Sequence, residues 1–211
     1  MESGKVKSDC TEMVLNEDEK TLWYVKDGVF QEDAAGIIHT DGGIWKVEDG
    51  KVVQNFTGFD QDGSEWLYFV NGKADLSVNS VIAGTINDKD GWWHVINGRV
   101  AFDTTVANNK NGWWRIKDGK VDFTYTGVAN NANGWWRIVN GKVDFSCNSV
   151  ERNENGWWKL SGGKVDFNYN GIAHNSNGWW YIRGGKVDFS YNGTVKADGR
   201  IYRVVGGKVN K

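Results

Sequence analysis

The sequence predicts an all-β protein, an elongated β-hairpin solenoid of about nine repeats near 22 residues each. Three observations predict it. One stretch, Asn133-Gly134-Trp135-Trp136-Arg137-Ile138-Val139-Asn140-Gly141-Lys142-Val143-Asp144-Phe145, recurs almost unchanged at 111–123, 155–167 and 177–189. The turn signals Asp27-Gly28, Asp49-Gly50, Asn71-Gly72, Asn97-Gly98, Asp118-Gly119, Asn140-Gly141, Gly162-Gly163, Gly184-Gly185 and Gly206-Gly207 follow one another at 22, 22, 26, 21, 22, 22, 22 and 22 residues. A single register brings opposite charges together in three of the copies. A short fixed period dictates a repeat architecture. Asn-Gly and Asp-Gly are the strongest hairpin signals because a type I′ turn holds both central residues at positive φ.

With the turn at Asn140-Gly141, Val139 faces Lys142, Ile138 faces Val143, Arg137 faces Asp144 and Trp136 faces Phe145. Strand side chains alternate between faces. Trp136, Ile138, Val143 and Phe145 therefore share the core face, while Arg137, Asp144 and Trp135 lie on the other. Arg115 likewise meets Asp122, and Lys159 meets Asp166. Each such cross-strand pair is worth about 0.2–1 kcal/mol. The second Trp of each pair (Trp93, Trp114, Trp136, Trp158, Trp180) and the residue two places on stay apolar and read as core. The variable position between them, from Tyr24 through Arg115 and Arg137 to Arg203, reads as exposed.

In chain order, Ser3-Gly4 marks the tail of a partial repeat at 1–13. Degenerate copies fill 14–86, with Leu22-Trp23, Ile44-Trp45 and Trp66-Leu67 in place of Trp-Trp. The 26-residue spacing implies a bend or wider loop around Ser77–Asp90. Regular copies occupy 87–190, and 191–211 is a capping repeat with Ile201-Tyr202. The whole of 1–211 reads as one repeat domain. One hairpin is too small to be stable alone, and stacked hairpins bury a shared core. Two strands per hairpin at about 4.8 Å each give a straight stack of roughly 90 Å.

Composition narrows the function. A net charge of −2 supplies no basic face for nucleic acid. No apolar run approaches the ~20 residues that cross a membrane. The polar first residues carry no secretory signal, so a secreted parent would make this an excised fragment. A monomer is expected. Cys10 and Cys147 lie six residues after Gly4 and Gly141, in the slot that Tyr125, Tyr169 and Tyr191 fill elsewhere. Six hairpins separate them, several times the ~7 Å reach of a disulfide, so two half-buried thiols are expected.

The first Trp of each pair, Trp92, Trp113, Trp135, Trp157 and Trp179, falls on the face of the charged pairs. Two roles suit it: a row of rings that stacks on sugars or holds a cation by the ring quadrupole, or filling between neighbouring hairpins. On the first role Arg115, Arg137 and Tyr181 flank the rings as ligand-binding residues. The Asn-rich connections, such as Asn131-Ala132-Asn133, lack the carboxylates of a calcium loop and suit turns. His39, His94 and His174 occupy different slots, and no nucleophile motif is present. The chain is expected to be no enzyme, with no cofactor and no metal.

At the level of Gly-x-Trp-aromatic-x-x-Asn-Gly-Lys-Val, residues 20–211 resemble the cell-wall-binding repeat family of Gram-positive surface proteins, which includes choline-binding and glucan-binding repeats. The resemblance implies a hairpin solenoid that attaches a secreted, cell-surface protein to cell-wall or other polysaccharide. Choline-binding repeats carry Thr-Gly-Trp after the second strand. The matching places here read Thr126-Gly127-Val128, Asn148-Ser149-Val150, Asn170-Gly171-Ile172 and Asn192-Gly193-Thr194, so a ligand would have to use the doubled Trp. Two alternatives are an adhesin that grips a host surface protein and a ligand-free spacer.

Overall fold

Each repeat folds as three antiparallel strands rather than two. The computed structural model describes residues 9–16 and 20–210; the Ser3-Gly4 turn lies outside them. Among the described residues every regular element is a strand, and the 27 strands fall into consecutive triplets. In one triplet Gly127–Asn131 pairs with Gly134–Val139, which pairs in turn with the short Lys142–Val143. The expected register holds, with Ile138 opposite Val143 and Val139 opposite Lys142. The added strand is the segment that sequence reasoning treats as a connection. Its Asn-rich end turns the chain through Ala132 and Asn133, and two turns per repeat replace one.

The turn residues behave as their chemistry requires. Asp27, Asp49, Asn71, Asn97, Asp118 and Asn140 all adopt φ near +50°, the left-handed region that Asn and Asp tolerate best among side-chain-bearing residues. The glycine that follows is fixed by contact as well as by φ. At Gly141 (φ +78°) a Cβ would stand 2.6 Å from the Asp122 carbonyl oxygen and 2.8 Å from the Phe123 Cα of the preceding repeat. The long spacing at 77–90 is accommodated by a longer hairpin instead of a bend. Strands Ser80–Ile86 and Lys89–Ile96 meet at Asn87-Asp88, both at positive φ.

The chain divides into two compact units between Phe102 and Asp103. Within each, successive repeats are joined by backbone. In the second unit Trp114 pairs with Lys142, Trp136 with Lys164, Trp158 with Lys186 and Trp180 with Lys208. Beside these, the Arg137 N–H donates to the Gly163 carbonyl at 2.7 Å, and the Gly163 N–H to the Cys147 carbonyl at 2.8 Å. Each repeat thus satisfies the edge of the one before it, which an isolated hairpin leaves open.

The core of each unit is a column of one residue per repeat. Val47, Phe69 and Val95 are fully buried in the first unit, and Ile116, Ile138, Leu160 and Ile182 in the second. Val121, Val143, Val165 and Val187 face them across the turn, and Val106, Val128, Val150 and Ile172 close the column from the added strand. Burying each such side chain contributes about 1.5–3 kcal/mol. Phe145 departs from its expected core place. It is 49% exposed, as are its counterparts to similar extents, because the short strand ends at Val143 and the chain leaves the ladder.

Candidate binding site: aromatic clusters between repeats

The first Trp of one repeat packs on the second Trp of the next. Trp113 meets Trp136 at 5.6 Å between ring centroids, Trp135 meets Trp158 at 5.1 Å, and Trp157 meets Trp180 at 5.1 Å. A phenylalanine completes each group. Phe145 stands at 88° to Trp113 at 6.4 Å, Phe167 at 89° to Trp135 at 6.0 Å, and Phe189 at 87° to Trp157 at 6.2 Å. The same phenylalanines lie 5.6–5.8 Å from Trp136, Trp158 and Trp180. Three near-identical three-ring corners therefore recur in the second unit.

Of the two roles the sequence leaves open for the first Trp, Trp113, Trp135 and Trp157 take the filling between neighbouring hairpins. Trp92, Trp113, Trp135 and Trp157 are half-buried, and Trp179 is exposed at 36%. Trp113, Trp135 and Trp157 each lie against the second Trp of the next hairpin. Trp179, whose following repeat offers Tyr202 in the second-Trp slot, stacks instead on its cross-strand neighbour His174 at 4.6 Å. Trp92 lines a shallow pocket of the first unit with Ala83, Gly84 and Asp90.

The second Trp is held on three sides. Its indole N–H donates to an asparagine of the same hairpin: Trp114 to Asn109, Trp136 to Asn131, Trp158 to Asn153 and Trp180 to Asn175, at 2.9–3.0 Å. The lysine of the next repeat lays its ammonium over the ring, Lys142 on Trp114, Lys164 on Trp136 and Lys186 on Trp158, each at 5.2 Å. The Gly of Gly-Trp-Trp makes room for that lysine. A Cβ at Gly134 would stand 2.6 Å or less from the Lys164 side chain, at 2.5 Å from its Cε. The motif's glycine and the lysine of Gly-Lys-Val are thus two halves of one inter-repeat contact.

Arg115, Arg137 and Tyr181 are half-buried rather than exposed. A tyrosine from the link to the next repeat covers this position. The Arg115 guanidinium lies over Tyr125 at 5.2 Å, Lys159 over Tyr169 at 5.5 Å, and Tyr181 stacks on Tyr191 at 4.2 Å. The tyrosine hydroxyls donate to the carbonyls of Val128, Ile172 and Thr194. Burial raises the pKa of Tyr125 and Tyr169 and lowers that of Lys159. Arg115 also donates to the Thr105 and Ile116 carbonyls at 3.2 and 2.9 Å. These side chains close the scaffold.

The cross-strand ion pairs are also reassigned. The Asp144 carboxylate accepts from the Ser146 N–H at 2.9 Å and the Ser146 hydroxyl at 2.6 Å, while the Arg137 guanidinium reaches Glu151 at 3.5 Å. Asp122 and Asp188 make the same turn with Thr124 and Ser190. These hydrogen bonds hold their carboxyls below the ordinary aspartate range. The backbone does pair as expected, since the Asp144 N–H donates to the Arg137 carbonyl at 2.9 Å.

One repeat breaks the pattern. Cys147 replaces the covering tyrosine above Arg137, and Glu151 replaces the small Ala129 or Ala173 of its neighbours. The guanidinium that lacks a tyrosine gains a carboxylate. Cys147 itself is a half-buried thiol whose pKa burial pushes up, with Glu151 adding to the shift. Cys10 donates to Glu12 at 3.0 Å.

A stack of such repeats, each lending a ring to its neighbour, defines an all-β repeat protein. The family model described as choline-binding repeat matches residues 102–122, 124–144, 168–188 and 190–210. No curated protein sequence matches the chain significantly. Among solved structures, CbpF in complex with ipratropium is 15% identical over 90% of this chain and 71% of its own, with a TM-score of 0.34. The modular autolysin LytC from Streptococcus pneumoniae is 11% identical over all of this chain and 50% of its own, with a TM-score of 0.35. The chain thus spans half the length of that autolysin. Among the described residues no helix is long and apolar enough to cross a membrane.

Proposed function

We propose that this chain is a non-enzymatic module of a secreted or cell-surface bacterial protein that grips choline groups displayed on a cell-wall polysaccharide. The observation that carries the reading is the repeated three-ring corner. A quaternary ammonium cannot donate hydrogen bonds, so it is recognised by aromatic faces through the ring quadrupole. A cation within about 6 Å of a ring centroid, over the ring face, is attracted by the quadrupole. Trp113 and Phe145, with their counterparts, stand perpendicular at 6.0–6.4 Å.

The phenylalanines are the exposed members, so they can be removed with little effect on the fold. The purified chain should sediment with cell walls that carry choline and be released by free choline, whereas the Phe145→Ala/Phe167→Ala/Phe189→Ala variant should stay in solution. Sedimentation that free choline leaves untouched, or equal retention on choline-free walls, would overturn the reading. In that case the rings only pack on one another, and the adhesin or spacer alternative takes over.

A further inference from the structure

The cavity beside Trp157 has a chemistry that the aromatic corners do not share. It holds about 530 Å3. Ser149, Glu151, Arg152, Trp157, Ser176 and Asn177 contribute to its lining. Arg152 is the cross-strand partner of Trp157, in the place of Asn108, Asn130 and His174 in the neighbouring repeats. It lies in the stretch between the second and third matched repeats, next to the substitutions Cys147 and Glu151. Glu151 is explained by Arg137, with which it pairs at 3.5 Å. Arg152 has no such account. It is exposed, and the cavity lining around it includes two serine hydroxyls, two asparagine amides and the Glu151 carboxylate. Arg137 pairs with the cavity's Glu151 from outside the lining, so the group Arg137, Glu151 and Arg152 carries one net positive charge.

We propose that this cavity is an oxyanion subsite, and that it takes the phosphate of a ligand whose quaternary ammonium sits in the corner of Trp157, Trp180 and Phe189. The inference rests on the reading of those corners as cation sites. Trp157 belongs to both places, so one zwitterion can span them. A guanidinium with flanking hydroxyl and amide donors suits a phosphate, which accepts several hydrogen bonds at once. The other two corners pair their first Trp with Asn108 and Asn130, which carry no charge. This one repeat would therefore prefer a phosphorylated choline over choline, and its neighbours would not.

The test follows the indole N–H resonances of the full chain by NMR during titration with choline, phosphocholine and inorganic phosphate. The Trp157 resonance should half-saturate at roughly three- to tenfold lower phosphocholine than choline, the range of a partly exposed charge-assisted contact. In Arg152→Gln that ratio should fall to about one, and Arg152→Lys should restore part of it. Trp113 and Trp135 should respond alike in all three proteins. If Trp157 follows choline and phosphocholine equally in the parent, or if Arg152→Gln keeps the preference, the subsite is overturned while the cation reading stands. If choline moves no indole, the cation reading fails. A Trp157 shift with inorganic phosphate, present in the parent and absent in Arg152→Gln, would then still support an oxyanion site, and its absence would remove that as well.

Discussion

Asn131 shows how much one side chain in a turn can hold. Its Oδ1 accepts from the Asn133 N–H and from the Trp136 indole, both at 2.9 Å, and its Nδ2 donates to the Val106 carbonyl of the preceding repeat at 2.9 Å. In the sequence only the turn role is legible. The indole contact depends on the strand Gly127–Asn131, which sequence reasoning reads as a connection because its apolar content is two residues, Val128 and Ala129. Asn131→Ala should cost about 1–3 kcal/mol by leaving a buried N–H without an acceptor, and Asn131→Asp, which keeps the acceptor, should cost less; urea melts monitored by tryptophan fluorescence measure both. Asp122, Asp144 and Asp188 make a second prediction at this scale. Hydrogen bonds from Thr124, Ser146 and Ser190 lower their pKa values from 3.8. A group lowered in the folded state contributes stability above its unfolded pKa and loses it as the pH falls through the folded value. The urea midpoint should therefore drop below about pH 4, and less steeply in the triple Asp→Asn variant. An equal drop in both proteins would show that these turns are not the acid-sensitive groups.

At the scale of the strand triplet, the hairpin turn and its register were legible because Asn-Gly chemistry and two-residue alternation are local. The neighbour of each face was not. The sequence places Trp136 in the core and leaves Trp135 either in an exposed row or between hairpins, and the structure makes both of them inter-repeat contacts. Trp135→Ala and Trp136→Ala should each destabilise the chain by an amount in the range of about 2–5 kcal/mol, with Trp136 the costlier because its loss also frees Asn131 and Lys164. A negligible effect at Trp135 in urea melts would contradict its packing on Trp158 and Phe167. Gly141 is the sharper case. Gly141→Ala adds a methyl 2.6 Å from a carbonyl oxygen at a φ of +78°, so it should cost more than the ~1 kcal/mol of an ordinary left-handed Gly→Ala change. Asn140→Gly, at φ +49° in the same turn, should be nearly neutral by the same melts.

Across the molecule, the repeat period, the all-β class and the core column follow from the sequence, since each copy repeats the same local signal. The ligand site does not, because its rings come from two repeats at once: Trp113 belongs to one hairpin and Trp136 and Phe145 to the next. No single repeat contains a corner, so the proposed binding requires neighbours in register, and near-identical corners would make it multivalent. Weak sites linked on one chain gain avidity when the polymer reaches several together. Retention on choline-bearing walls should therefore weaken modestly when Phe167 alone is replaced by Ala and collapse when Phe145, Phe167 and Phe189 are replaced together. The most direct measurement is a crystal structure of the chain soaked in choline. The account predicts a trimethylammonium group in each of the three corners Trp113/Trp136/Phe145, Trp135/Trp158/Phe167 and Trp157/Trp180/Phe189, about 4–5 Å from the ring centres. Choline bound elsewhere, or corners that stay closed ring against ring at saturating choline, would contradict it.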